Sequence, residues 1–256
     1  MTGARLDLLR KAAVFVASPL VLLGIWELCG RMGWVDIRFF PLPTRILGYL
    51  IWLFREDNLI VDILSSMRRI GLGLAVGFLP GVVLGLAMGL SSWARLILGP
   101  LVALTYPIPK IAILPLLLII FGLGETSNVM VVAIGVFFLA LINTYSGVSQ
   151  IPQIHFDVAH VYRVRPWRRL THIVLPAAFP GIFTGLKLAV GYGLILIVAA
   201  EMVAAGSGIG YRIWTSWETY VIIELYACLA VISGIGVLLS VGLEALERVL
   251  AHWKGA

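Results

Sequence analysis

Apolar residues run through this 256-residue chain in long unbroken stretches. Ala12 to Trp26, Ile70 to Ala94, Ile111 to Gly124, Thr126 to Phe156, Leu188 to Ala200 and Leu225 to Leu243 contain no Asp, Glu, Lys or Arg. A helix needs about 20 residues to cross a hydrocarbon core. The runs lack the two-residue alternation of a barrel strand, and a helix satisfies its own backbone groups in lipid. The pattern therefore predicts an all-α membrane protein. It forms a single transmembrane domain over 1–256, with six spans at about 12–28, 70–90, 96–121, 129–145, 181–200 and 225–246. Two polar interruptions stand out. The segment 31–69 leaves the membrane and carries an amphipathic interfacial helix that opens at Leu42-Pro43-Thr44. The segment 146–179 is longer than a minimal connection requires, and such loops usually carry function.

Composition narrows the classes. With 61% hydrophobic and 12% charged residues, the chain is far from a soluble globular domain. Apart from the 146–179 loop, the net charge of +6 forms no compact basic face with interleaved aromatics, so no nucleic acid is expected; membrane orientation accounts for the charge instead. Six spans put both termini on one side. That side holds ten Lys/Arg, including Arg163, Arg165, Arg168 and Arg169, and the other holds seven. The bias places both termini and the 146–179 loop in the cytoplasm. Arg5, Arg10 and Lys11 precede the first apolar run as in a secretory signal, but Trp26 and Glu27 stand where small cleavage-site residues would be expected. Cys29 and Cys228 give no disulfide framework. The four histidines have no i, i+4 carboxylate partner, so no metal site is expected. Neither a phosphate-cradling loop nor a nucleophile–base constellation occurs, so the chain is expected to be non-catalytic.

The loop itself reads as helix, break, helix. Phe156 to Arg163 has a short amphipathic pattern, Pro166 pushes its predecessor out of helical geometry, and Trp167 to Leu175 resumes, with Pro176 as a stop. Asp157, Val158, Ala159, Arg163, Ile173, Leu175 and Pro176 follow a spacing that resembles the permease signature of ABC importers. Glu, Ala and Gly are usual there where this chain has Asp157, Val158 and Arg163. Further strings resemble the nitrate, sulfonate and taurine class of these permeases from Leu42 onward, among them Tyr106-Pro107-Ile108-Pro109, Phe121-Gly122-Leu123-Gly124-Glu125, Asn143-Thr144-Tyr145 and Ala200-Glu201-Met202.

The resemblance implies a type I ABC importer permease in the bacterial inner membrane, working as a dimer, normally of two identical chains. It implies partners: two ATPase subunits that hold the ATP and Mg, an external substrate-binding protein, and membrane lipid. This chain itself is expected to bind no cofactor. The loop becomes the coupling segment, with His160 and Arg165 joining the signature residues against the ATPase. Since Arg163 replaces the glycine best suited to a tight turn, the local bend or a direct ATPase contact is at stake there.

Ionisable residues inside spans tend to face the bundle interior or water. Lys110 follows two prolines that break the third span and free its carbonyls. It could attract an anion, snorkel, or pair with Glu201. Glu201, before the flexible Gly206 to Gly210 turn, is expected at the outer mouth of the path or bonded to backbone amides. Lys187, near a span end, reads as snorkelling. Tyr106 and Trp214 complete the path candidates, although Trp214, Trp217 and Tyr220 also suit an interfacial belt. The function expected is ATP-driven uptake of a small anion such as a sulfonate, taurine, nitrate or bicarbonate by alternating access. A secondary transporter or channel is the alternative; it should show inverted repeats and paired buried carboxylates, and the sequence offers neither.

Overall fold

A computed structural model describes the backbone of residues 2–250 and the side chains of 17–250. Arg5, Arg10, Lys11, His252 and Lys254 thus fall outside what is described of side chains, as does the start of the first expected span. The helices are α1 (Thr2–Arg31), α2 (Pro43–Glu56), α3 (Leu59–Leu90), α4 (Ser92–Thr105), α5 (Leu114–Phe121), α6 (Glu125–Ser149), α7 (Gln153–Val161), α8 (Pro166–Arg169), α9 (Leu175–Ala204), α10 (Ile209–Glu218) and α11 (Ile222–Leu250). Among the described residues, α3, α6, the continuous stretch Pro166–Ala204 and α11 are each long and apolar enough to cross a membrane. The bent pair Ser92–Thr105 and Lys110–Phe121 would make a fifth span, turning through 86° at its break.

That break follows from sequence. Pro107 and Pro109 cannot donate backbone hydrogen bonds, so α4 ends at Thr105 and the chain restarts as a 3₁₀ turn, Lys110–Ile113, before α5. Pro176 behaves differently from the expected stop. A π-helical turn, Leu170–Val174, links α8 to α9 without interruption. Such a turn is wider than an α-turn, and Pro176 sits in the first turn of α9, where its missing N–H costs least.

The chain divides into two compact units. One contains the N-terminal part up to Ile60 together with Ile213–Val231. In it, α2 buries Ile46 and Leu53 and leaves Leu47, Ile51, Trp52 and Phe54 exposed. Its first turn is capped from α1: Glu27 accepts hydrogen bonds from the Thr44 N–H at 3.1 Å and the Thr44 hydroxyl at 3.0 Å.

The other unit contains Val61–Arg212 and the chain from Ile232 onward. Here α6 is central, packing on α3 by one face and on α9 by another. Gly73, Gly77, Gly81, Gly85 and Gly89 recur every four residues along α3, and a Cβ at each would run into Val132, Ala133, Phe137, Leu141 or Val148 of α6. Without the stripe the two backbones could not approach so closely, a familiar device in lipid, where packing rather than water drives helix association. On the far face, Gly147 and Gly181 mark the closest passage of α6 and α9, and Gly185 meets Asn143. Val131, Val132 and Val136 of α6 and Ala189, Ile197 and Ala200 of α9 form the core between them.

Candidate transport path and coupling loop

Two clefts open along the groove between α6 and α9. The upper, about 470 Å³, is lined by Tyr106, Lys110, Phe138, Leu188 and Tyr192 among others. The lower, about 400 Å³, is lined by Asn143, Ser146, Gln150, Pro180 and Thr184 among others. Their α6 residues fall on one face, at 135, 138, 139, 143, 146, 147 and 150. The α9 residues 177, 181, 184, 188 and 192 do the same. Spacings of three and four keep a row on one helix face, so the clefts are successive parts of a single groove, aromatic at one end and polar at the other. Among the described residues, no carboxylate lines either.

Lys110 is 5% exposed at the upper cleft. Its Nζ donates to the Thr105 carbonyl at 2.8 Å and the Tyr106 carbonyl at 3.0 Å, the groups left over where the prolines end α4. It also lies 4.2 Å from the centre of the Phe138 ring, close enough for a cation–π attraction. Lys110 therefore caps a broken helix whose C-terminal dipole favours a cation. It does not pair with Glu201.

Glu201 lines neither cleft and is fully buried. One oxygen accepts from Arg69 Nη1 at 2.7 Å, and the other from the Gly210 N–H at 2.9 Å and the Ser66 hydroxyl at 2.8 Å. Arg69 is itself 3% exposed. Its Nη1 also donates to the Ser207 carbonyl at 2.7 Å, its Nη2 to Glu125 at 2.6 Å and the Ser207 hydroxyl at 3.1 Å, and its Nε to Glu125 at 3.1 Å. All five guanidinium N–H groups are thus engaged. Alongside, Asp62 accepts from the Gly208 N–H at 2.7 Å and from Arg212 at 2.9 Å, and Ser66 accepts from the Ile209 N–H at 3.0 Å. Gly208 has φ +111, and a Cβ there would meet the Glu201 carboxylate. The sequence does hold a signal for this cluster: Asp62, Ser66 and Arg69 are spaced four and three apart, a polar face on an otherwise apolar helix.

The remaining path candidates lie elsewhere. Lys187 bonds Glu247 at 2.7 Å rather than reaching outward. Trp214 belongs to α10, with its ring 4.9 Å from that of Trp217.

The loop candidates form one continuous structure. α7 ends in a capping turn in which the Arg163 N–H reaches the His160 carbonyl at 3.0 Å and the Val164 N–H reaches the Ala159 carbonyl at 2.9 Å. That pair of bonds is the Schellman pattern, which requires a left-handed residue between them. Arg163 supplies it, with φ +48. The bend a glycine would make is kept despite the side chain. Ala159 is buried, whereas Asp157, Val158, His160, Arg163 and Arg165 are exposed. The small residue thus stands where space is short, and the departure at Val158 falls on the open face. Asp157 accepts from Gln153 at 3.2 Å. Ile173 and Leu175 flank the fully buried Val174 in and after the π-turn. Val174 anchors a small core with Val148, Ile151 and Ala178 that seats the loop on the ends of α6 and α9.

The chain is similar to known proteins in sequence and in fold. The taurine transport system permease protein TauC of Escherichia coli is 33% identical over 98% of this chain and 93% of its own length. The putative aliphatic sulfonates transport permease protein SsuC of Bacillus subtilis is 29% identical over 93% of this chain and 86% of its own. The nitrate import permease protein NrtB of Synechocystis is 30% identical over 90% and 86%. Among solved structures, a chain of the inward-facing MetNI methionine ABC transporter superposes with a TM-score of 0.68, covering 75% of this chain and 95% of that one at 15% identity, which speaks for the fold. Residues 81–254 match the family described as binding-protein-dependent transport system inner membrane component. The chain belongs to that family: it is a non-catalytic permease subunit of a binding-protein-dependent ABC importer of the inner membrane, homologous to taurine, sulfonate and nitrate permeases.

Proposed function

We propose that this permease admits a small anion, such as a sulfonate, taurine, nitrate or bicarbonate, along the α6–α9 groove, driven by a separate ATPase that grips residues 153–176. A binding-protein-dependent ABC system includes an ATPase and a binding protein. The observation that carries the coupling reading is the exposed, capped α7 turn, with Asp157, Val158, His160, Arg163 and Arg165 on its open side, followed from Pro166 by a helix that carries Ile173, Leu175 and Pro176 and runs without a break into the long α9. A push on α7 is then delivered to a span rather than lost in a flexible linker.

In this reading α1 is the first of six spans within one membrane domain, both termini are cytoplasmic, and a second identical chain closes the groove from its open side. A two-fold pair would place two such grooves face to face. ATP binding in the ATPase dimer draws the two loops together and shifts the population between inward and outward openings. The anion preference is supported by the substrates named for the relatives and by a groove holding Lys110 and Tyr106 but no carboxylate. Glu201 acts on the path through the Arg69 cluster rather than by touching solute.

The test is reconstitution with the ATPase and binding protein. The double substitution Val158→Asp with Val161→Asp is expected to abolish co-purification of the ATPase while leaving the permease folded. Unchanged complex formation and unchanged transport-linked hydrolysis would reject the coupling role. Thermal-shift titration of the binding protein with taurine, nitrate and bicarbonate identifies the solute, since specific binding stabilises the folded state.

A further inference from the structure

Besides the apolar core between them, the helices α6 and α9 are tied at both ends. At one end the chain itself joins them, through 150–174. At the other end the polar tie is a single side chain from a third helix, Arg69 of α3. Glu125 is the first residue of α6 and Glu201 lies in the last turn of α9, and both carboxylates bond the Arg69 guanidinium. At 1.5 Å rise per residue, α6 separates the two joints by roughly 35 Å. The groove lies between them. The same arginine also holds Ser207 of the turn after α9, and the glycine stripe that fits α3 against α6 begins at Gly73, one turn beyond it.

The two halves of this joint differ. The Glu201 half is sealed, while Glu125 is 46% exposed and also bonds Arg68 at 2.8 Å. A planar guanidinium can reach two carboxylates and a carbonyl at once, whereas a compact ammonium on a flexible stem cannot hold the same fork.

We propose that Arg69 is a positioning residue for transport: it locks the outer ends of α6 and α9 together, so that displacement of the loop between α7 and α9 turns the pair as one body instead of splaying it. The proposal rests on the coupling reading above. It assigns Arg69 a part in energy transfer that a packing role alone would not require.

Spin labels at Leu123 and Val203, both exposed and next to Glu125 and Glu201, report the outer spacing in the assembled transporter, with and without ATP and vanadate. In the unsubstituted complex the distance is expected to hold within about 2 Å between the two states. In Arg69→Lys the complex is expected to assemble and to keep basal ATP hydrolysis within about twofold. The label distance should broaden, and stimulation of hydrolysis by the binding protein should fall about fivefold or more. Glu125→Gln, at the exposed half, should show the same two changes in smaller degree, and it decides the matter if Arg69→Lys does not assemble. An outer spacing that already changes with nucleotide in the unsubstituted complex overturns the proposal. So does an assembled variant in which either the distance distribution or the stimulation is unchanged. Failure of the coupling reading itself looks different: the Val158→Asp, Val161→Asp pair would then leave hydrolysis unaffected, whatever happens at Arg69.

Discussion

At the Glu125–Glu201 end of the α6–α9 pair, a buried arginine has all five of its donors engaged, and the buried carboxylate facing it takes four hydrogen bonds from three groups, Arg69, Ser66 and the Gly210 N–H. At the 150–176 end, cations and large apolar side chains point outward, with Val161 76%, Tyr162 78% and Trp167 71% exposed. Only the base of that end, around Val174, is packed. The first end is closed on itself and needs nothing else in order to be satisfied. The second is a firmly shaped surface without a partner of its own. On the proposed reading the same helices would be braced where the solute enters and presented where the ATPase acts, which would suit a part that transmits motion without doing chemistry.

The sharpest break in this contrast is the loss of Arg69. Arg69→Ala leaves the Glu201 carboxylate buried without its cation, a situation that costs about 3–5 kcal/mol. The expected result is a marked fall in the denaturation midpoint of the detergent-purified permease. The double variant Arg69→Ala with Glu201→Ala should recover part of that loss, because no uncompensated charge then remains. An unchanged midpoint in the single variant would mean that the cluster is not the brace described here.

Gly77→Leu comes next. Its side chain would enter the backbone of α6 at Ala133, and overpacking of this kind typically costs about 1–3 kcal/mol, occasionally more. The same change at Gly71, where nothing lies within 4 Å, should alter the midpoint little. Equal effects at both positions would contradict close packing of α3 on α6.

Much of this was legible in the sequence because it depends on neighbours in the chain. Apolar runs marked the long helices, Pro107 and Pro109 the break before Lys110, and Pro166 the division of the loop. Contacts over long separations were not legible. Arg69 looked like one of several charges in a polar segment, since its partners lie 56 and 132 residues away. Pairing with Glu201 is one of three roles the sequence allows Lys110, beside attracting an anion and snorkelling, because both are ionisable groups inside apolar runs; each in fact has partners of its own. Pro176 looked like a stop because a proline in mid-pattern usually is one, and only the π-turn before it lets the helix continue.

The smallest expected effect, and the most discriminating at the exposed end, concerns Arg163. A left-handed backbone costs a non-glycine residue about 1–2 kcal/mol, while glycine loses about 0.5–1 kcal/mol more conformational entropy on folding than alanine. The two effects partly offset each other, so Arg163→Gly should stabilise the α7 turn by about 0–1.5 kcal/mol. Slower exchange of the Val164 amide, which bonds the Ala159 carbonyl, is the measure of that gain. Arg163→Ala keeps the strain and removes the charge. If the side chain touches the ATPase, both variants should weaken assembly equally, because both lack the guanidinium. If Arg163 serves only the bend, Arg163→Gly should assemble at least as well as the unsubstituted permease. Affinity of the ATPase for the two variants, set beside Val164 exchange, separates the turn from the contact.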